Sequence, residues 1–391
     1  MRQYLNLKRP AIRHRFLGAA QAITVAVSSA LFVSLVLTGC AVSASESRTD
    51  NKDNQSKTSK GLKDYYSGYF PVGVAVNSYN IHGPAQALIL KEFNSITPEN
   101  DMKMGPIHPR QDQYNFSAAD KIVAFARGHG LKIRGHNLCW HEQTPRWIFK
   151  DAQGAQVSKD SLFARLKSHI QTVVGRYHKD IYAWDVVNEA ISDNPSEFLR
   201  NSPWLKICGS SFIDSAFWYA HRVDPKAALY YNDYNAVIPE KAKRIYKLLK
   251  GLKSRGVPIT GIGIQAHWSI YQPTEAELRS ALDLYKSLGL KIQITELDVS
   301  VFPWEKNRRA LLPKDKVVYE GALEEKQAAF YKMVFNVFRD YKGVITSVTF
   351  WNVSDNDSWL NNYPVPGRRN YPLLFDSALH RKAAYQAVTD F

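Results

Sequence analysis

Cysteine is scarce, with three in 391 residues. That excludes a disulfide scaffold, and a chain of this length buries a large core without one. Other signatures are missing too. No Gly-rich phosphate loop follows the first strand-like run, which argues against a doubly wound nucleotide-binding sheet. No Gly-x-Ser-x-Gly motif occurs, which disfavours an esterase of that type. The first strand-like run ends Val76-Asn77-Ser78, not in the His-x-His pair common in barrel metallohydrolases. His136 and His141 share neither a strand face nor a helical face, so no metal is expected. Net charge is +15, yet there is no Arg-rich block and no RNA- or DNA-binding motif. Nucleic acid is therefore not an expected partner. A generally basic surface suits an acidic polysaccharide or an anionic membrane instead.

The N-terminus also lacks something. Residues 1–39 hold Arg2, Lys8, Arg9, Arg13 and Arg15 and no acid, and Phe16 to Gly39 is uncharged. A basic start followed by an apolar run is the layout of a secretory signal peptide. It ends in Leu37-Thr38-Gly39-Cys40, which resembles the bacterial lipobox, whose Cys is acylated and becomes the first mature residue. Ala41 follows, similar to the pattern sorted to the outer membrane. A plain membrane-spanning anchor is the alternative, since 24 uncharged residues could span a bilayer. Residues 40–61 then read as a flexible tether, because 43–60 hold no aromatic and no large aliphatic residue.

From residue 62 to 391 the texture is globular without a second composition break, implying one domain. Strand-like runs are Val72–Asn77, Ser95–Thr97, Lys132–His136, Tyr182–Asn188, Ala228–Asn232, Ile259–Ala266, Lys291–Leu297 and Val344–Trp351. A helix-like periodic run follows each one, from Pro84–Glu92 through to Lys382–Asp390. Strict alternation implies a parallel sheet, and eight units close a (β/α)8 TIM barrel.

Polar residues collect where these strands end: Glu99, Asn100 and Lys103; His136, Asn137 and Trp140; Asn188 and Glu189; Asn232 and Asp233; Gln265 and His267; Glu296 and Asp298; Trp351 and Asn352. The C-terminal strand ends form the active-site rim of such a barrel. Glu189 ends the fourth strand and Glu296 the seventh. A pair of acids across a barrel mouth is what glycoside hydrolysis requires, one protonated to assist the leaving oxygen and one ionised to attack. Asn188 beside Glu189 could hydrogen-bond a sugar 2-hydroxyl. Trp140, Trp268, Trp304, Trp351 and Trp359 all follow strand ends, and an indole face stacks on a pyranose. One or two of the five are expected to be packing residues. Cys139 reads as a small buried hydrophobe.

The segments TPENDMKM, RGHNLCWHEQTPRW, WDVVNEA, GIGIQAHW, ITELDV and FWNVSDNDSW, in order over residues 72–391, resemble glycoside hydrolase family 10, the retaining endo-β-1,4-xylanases. That resemblance implies Glu189 as general acid/base and Glu296 as nucleophile, with His267 and Asp298 around the nucleophile. It implies that Glu99, Asn100 and Lys103 bind sugars on the non-reducing side. It makes His136, Trp140, Gln143, Asn188 and Gln265 sugar contacts near the cleavage point. Trp351 and Trp359 would roof the cleft and crowd a C5 hydroxymethyl group. Met104 departs from the Trp of many members, and residues 304–321 have no clear counterpart in the family pattern.

The expectation is a single-domain barrel, a monomer without cofactor. It would be exported and lipid-anchored through Cys40, and would cleave xylan or xylo-oligosaccharide. The rivals are a barrel β-glucanase using the same acid pair and a non-catalytic sugar-capturing surface lipoprotein.

Overall fold

A computed structural model of the protein describes residues 60–391. The signal-peptide and lipidation readings, and all but the last two residues of the tether, lie outside the described residues. Among the described residues, no helix is long and apolar enough to cross a membrane.

Nine parallel strands form: β1 Val72–Val76, β2 Ser95–Pro98, β3 Lys132–Cys139, β4 Ile181–Asn188, β5 Ala228–Asp233, β6 Gly261–Ile264, β7 His267–Ser269, β8 Lys291–Ser300 and β9 Ile345–Phe350. Hydrogen bonds run in the order β6-β5-β4-β3-β2-β1-β9-β8, and a β6–β8 pairing closes the ring. The short β7 continues the line of β6 along the same partner, since β6 pairs with Lys291–Ile294 and β7 with Asp298–Ser300. Eight barrel positions therefore result, as the alternation predicted, with the sixth strand broken at Gln265–Ala266. All eight expected helices are present within about three residues of their expected ends. Short helices at Leu62–Tyr65, Met104–Ile107 and Pro203–Cys208 were not expected, because runs this short carry no periodic signal.

Strands buried on both faces read as continuous apolar runs, which is why they were visible as runs but not as registers. The barrel interior is not wholly apolar. Arg134 of β3 is fully buried and donates to Gln293 Oε1 (2.7 Å), Thr97 Oγ1 (3.3 Å) and Asp185 Oδ1 (2.6 Å). This layer ties β2, β3, β4 and β8 together directly beneath the mouth. Close approach needs glycine at Gly135, where a Cβ would lie 2.1 Å from the Trp184 ring.

Leu62, ahead of β1, and the C-terminal residues Arg381 and Tyr385 meet at the base. Glu92, fully buried, accepts from the Leu62 amide (2.8 Å), the Arg381 guanidinium (2.7 Å) and the Tyr385 hydroxyl (2.9 Å). Three donors satisfy a carboxylate that burial would otherwise penalise. Cys139 and Cys208 are both buried free thiols. Burial pushes both thiols above their ordinary pKa, Cys208 to about 11, so neither forms a ready thiolate.

Candidate active site

Glu189 follows β4 with φ of +57°, a left-handed conformation that non-glycine residues seldom adopt. Its amide donates to the Asn232 carbonyl (2.9 Å), and its own carbonyl accepts from Arg200 Nε (3.0 Å). The turn is thus held from both sides while the side chain enters the mouth. Five of the six non-glycine residues with positive φ among the described residues lie around this mouth: Gln143, Glu189, Asn235, Ala266 and Asn352. Such conformations cost roughly 1–3 kcal/mol each and persist where surrounding structure enforces them.

Three donors meet the Glu189 carboxyl. Trp140 Nε1 donates to Oε2 (2.8 Å), and Gln265 Nε2 (2.9 Å) and Asn188 Nδ2 (3.1 Å) donate to Oε1. Burial nevertheless dominates and pushes its pKa up to about 7, with Asp233 and Glu296 adding to the rise and the Gln265 and Trp140 bonds opposing it.

Glu296 lies within β8. Its Oε1 accepts from Asn232 Nδ2 (2.8 Å) and its Oε2 from His267 Nε2 (3.1 Å). Burial alone would raise its pKa. The His267 bond and the charges of His136, His267 and Lys103 outweigh it, holding Glu296 at about 2. His267 Nδ1 bonds Asp298 Oδ2 (2.9 Å), so the imidazole stands between two carboxylates. Burial disfavours its charge, but Asp298 and Glu296 together lift its pKa to about 10. Trp359 Nε1 donates to the same Asp298 oxygen (2.8 Å). At neutral pH the imidazole is therefore cationic, with both nitrogens donating.

The two glutamates are joined through amides. Asn232 Nδ2 donates both to Glu296 and to Asn188 Oδ1 (2.8 Å), and Asn188 Nδ2 donates to Glu189. Thr295 Oγ1 donates to Asn232 Oδ1 (2.7 Å) and fixes which way that amide faces. Asn232 was legible in the sequence only as a strand-end polar residue. Its bridging place needs three strands at once.

The remaining predicted residues line the same mouth, with one exception in contact. His136 Nδ1 bonds Asp185 Oδ2 (2.9 Å) and lies 4.0 Å from Glu296 Oε1. Lys103 Nζ donates to Asn100 Oδ1 (2.9 Å) and sits 5.1 Å above the Trp140 ring. Burial lowers its pKa, against the pull of Glu296 and Glu99. Glu99 accepts from Asn352 Nδ2 (3.1 Å), and burial raises its pKa. Trp351 stands edge-on to His136 (5.4 Å) and His267 (6.3 Å), and Trp359 edge-on to His267 (4.9 Å). Gln143 is exposed on the loop after β3 and shows no side-chain bond to the cluster. Of the five rim indoles, Trp268 is a packing residue, 7% exposed against Phe330 and Phe338. Met104 is buried at 2% and turns away from solvent. Arg134, legible in the sequence only as a polar residue near the end of the third strand, supports Asp185 and hence His136; Gln293, which accepts from Arg134, gave no sequence signal, because a lone amide inside an apolar strand looks like an interruption of it. Among the described residues, no group of three or more His, Cys, Asp or Glu side chains is arranged to hold a metal ion.

Comparison with known proteins places this geometry. A "Beta-1,4-xylanase" of Dictyoglomus thermophilum is 48% identical over 332 residues, 84% of this chain and 90% of that protein. An "Endo-1,4-beta-xylanase" of Geobacillus stearothermophilus is 44% identical over 330 residues, 84% of this chain and 98% of that protein. The crystal structure of an endo-1,4-beta-xylanase from Caldicellulosiruptor owensensis superposes with a TM-score of 0.81 at 47% identity, covering 85% of this chain and 100% of that one. The family model for glycosyl hydrolase family 10 matches residues 61–391. That span takes in every barrel strand and both glutamate-bearing strand ends, so the chain belongs to glycosyl hydrolase family 10.

Proposed function

We propose that the protein hydrolyses internal β-1,4 bonds of xylan with retention of configuration. The observation that carries the reading is the divergent charge state of two glutamates joined through Asn188 and Asn232, one at about 7 and the other at about 2. The similarity to proteins named β-1,4-xylanases supports the choice of substrate.

In this reading ionised Glu296 attacks the anomeric carbon. Glu189 gives its proton to the departing oxygen, and a glycosyl ester forms on Glu296. Glu189, now a carboxylate, takes a proton from water. That water attacks the same carbon and releases Glu296. Glu99, Asn100 and Lys103 hold sugars on the non-reducing side. His136, Trp140, Gln143, Asn188 and Gln265 contact the sugars beside the bond, with Asn188 on the 2-hydroxyl. His267 and Asp298 keep Glu296 ionised, and Trp351 and Trp359 close over the ring. The active form is a monomer, anchored through an acylated Cys40 on an outer membrane.

Chemical rescue tests the two roles. Glu189→Ala should slow xylan cleavage by at least about 10²-fold, the lower end of general acid–base contributions. A dinitrophenyl glycoside should still react in its first step, because that leaving group needs no proton. Azide should then restore turnover and give the β-glycosyl azide. Glu296→Ala should be inactive on every substrate, and any azide product should be the α-anomer. Interchanged anomers would reverse the assignment, and intact xylan cleavage in both variants would sink the mechanism.

A further inference from the structure

The two ends of the barrel differ in charge. In a parallel barrel every strand starts at the base and stops at the mouth, so helix-to-strand connections lie at the base. Counted from the last helical turn through the first residue of the next strand, the seven of them are residues 89–95, 125–132, 174–181, 220–228, 251–261, 283–291 and 337–345. They hold thirteen Lys and Arg against five Asp and Glu. The seven connections from β1 through β8 to the following helix lie at the mouth, residues 76–83, 98–117, 139–159, 188–211, 233–239, 264–275 and 300–322. They hold twelve against thirteen. Of these two ends, only the one away from Glu189 and Glu296 carries a basic excess.

That excess is presented by lysine. Lys132, Lys179, Lys226, Lys253, Lys286 and Lys291 are all exposed. They stand before β3, β4, β5, β6 and β8, which are consecutive in the closed ring, so they form one arc. Arginines of this end are paired, Arg127 with Asp180 (2.8 Å) and Arg255 with Asp214 (2.7 Å). None of the six lysines forms an ion pair among the described residues. Lys253 and Lys291 donate only to the neutral carbonyls of Leu288 and Gly343. An ammonium is a point charge that needs no fixed partner geometry, unlike the guanidinium fork. Such an arc suits a fluid surface whose phosphates hold no set positions. The chain also enters at this end: the carbonyl of Lys60, the first described residue, accepts from Arg381 (3.1 Å), which bonds Glu92.

We propose that the base of the barrel docks on the anionic surface of a lipid bilayer, so that the mouth opens away from it toward the polymer. Lysines near an anionic leaflet are attracted by its surface potential, and the attraction fades within a Debye length. The choice of a bilayer rests on the anchored reading above, because the segment leading back to Cys40 joins the barrel at the same end. An acidic polysaccharide would meet the same charges. Held there, however, it would lie at the end opposite the reacting glutamates.

The experiment reconstitutes the full wild-type protein on vesicles of phosphatidylcholine alone and on vesicles with one third phosphatidylglycerol. Lysines are then acetylated and read one by one by mass spectrometry. On the anionic vesicles Lys132, Lys179, Lys226 and Lys253 should react at least about fivefold more slowly than on the neutral ones, the effect of about one lysine's attraction. Lys206 and Lys314, in mouth-side connections, should react equally on both. At 1 M salt, where the Debye length is about 3 Å, the protection should vanish. A triple variant Lys179→Gln, Lys226→Gln, Lys286→Gln removes three ammonium groups that donate to no protein atom among the described residues. It should lose the protection of Lys132 and Lys253 while its kcat/KM on xylohexaose stays within about twofold. Equal labelling on both vesicles, protection of Lys206 and Lys314 instead, or full protection in the triple variant would overturn the docking face. Protection by soluble glucuronoxylan but not by anionic vesicles would overturn it in favour of an acidic polysaccharide. A protein that left the neutral vesicles but stayed protected on the anionic ones would sink the Cys40 anchor and keep the docking face.

Discussion

Charge state is decided side chain by side chain. Glu189 and Glu296 begin with the same intrinsic acidity, and both are buried. What separates them is that Glu189 receives only neutral donors, from Trp140, Gln265 and Asn188, while Glu296 receives a cationic imidazole. Neutral donors offset burial only in part, and a charged donor reverses it. The expected kcat/KM profile follows with its sign. In the proposed mechanism Glu189 gives a proton that it loses above about pH 7, so the rate should fall with rising pH, by about tenfold per unit. The acid limb lies near pH 2, where Glu296 takes up a proton. His267→Asn removes the cation that holds that limb down. The acid limb should rise to at least the ordinary carboxylate value of about 4.3 while the alkaline limb stays near 7. A pH–rate series on a xylo-oligosaccharide, whose leaving group does need that proton, measures both, and an unmoved acid limb would show that His267 does not set the charge of Glu296.

At the scale of an element, the active site sits on irregular strands. Between the pairs Ile264–Ile294 and His267–Asp298, β8 uses one residue more than its neighbour. Between Ile294–Val348 and Leu297–Phe350 it again uses one more. β8 therefore bulges against both neighbours over the stretch that contains Glu296. β4 does the same against β5 between Asp185 and Val187, just before Asn188 and Glu189. Bulges re-aim side chains and recur beside active sites. No composition signal marks them, because a doubly buried parallel strand has no alternation whose break could be seen. Packing at these points leaves no slack. A Cβ on Gly263 would lie 2.3 Å from Asn232 Oδ1 and 2.9 Å from Thr295 Cγ2. Gly263→Ala should push the Asn232 amide off Glu296 and Asn188. The expected cost is about 1–3 kcal/mol of stability, with kcat reduced more than the melting shift alone explains. Thermal melting and kcat measured together check this, and a variant with full kcat would mean that Asn232 has room to yield.

For the whole molecule, the barrel is closed at its base by Glu92, which joins Leu62 to Arg381 and Tyr385. Lys60 also belongs to that end, its carbonyl accepting from Arg381 (3.1 Å). The chain before it is proposed to end in a lipid at Cys40. Wild type should partition into the detergent phase and take up a fatty-acid probe, and Cys40→Ser should do neither. One acyl chain alone would bind only weakly, so firm retention requires more than one. A Cys40→Ser protein that still fractionated with membranes would favour a spanning segment.

The sequence by itself determined the architecture and the cast of residues. Eight apolar runs alternating with eight 3.6-period runs are local patterns, and each could be read within a dozen residues. Strand ends are local as well, so the glutamates, histidines and most rim indoles were legible where the runs stopped. Only the tertiary structure decided the rest. Asn232 bridges residues 44 and 64 positions away, Arg134 reaches Gln293 across 159, and His267 holds a carboxylate on another strand ionised. Trp268 and Trp304 look alike in the chain, yet one is packed beneath Phe330 and Phe338 and the other stands in water. Burial and charge depend on what lies beside a side chain in space, and folding alone brings those neighbours from distant parts of the chain.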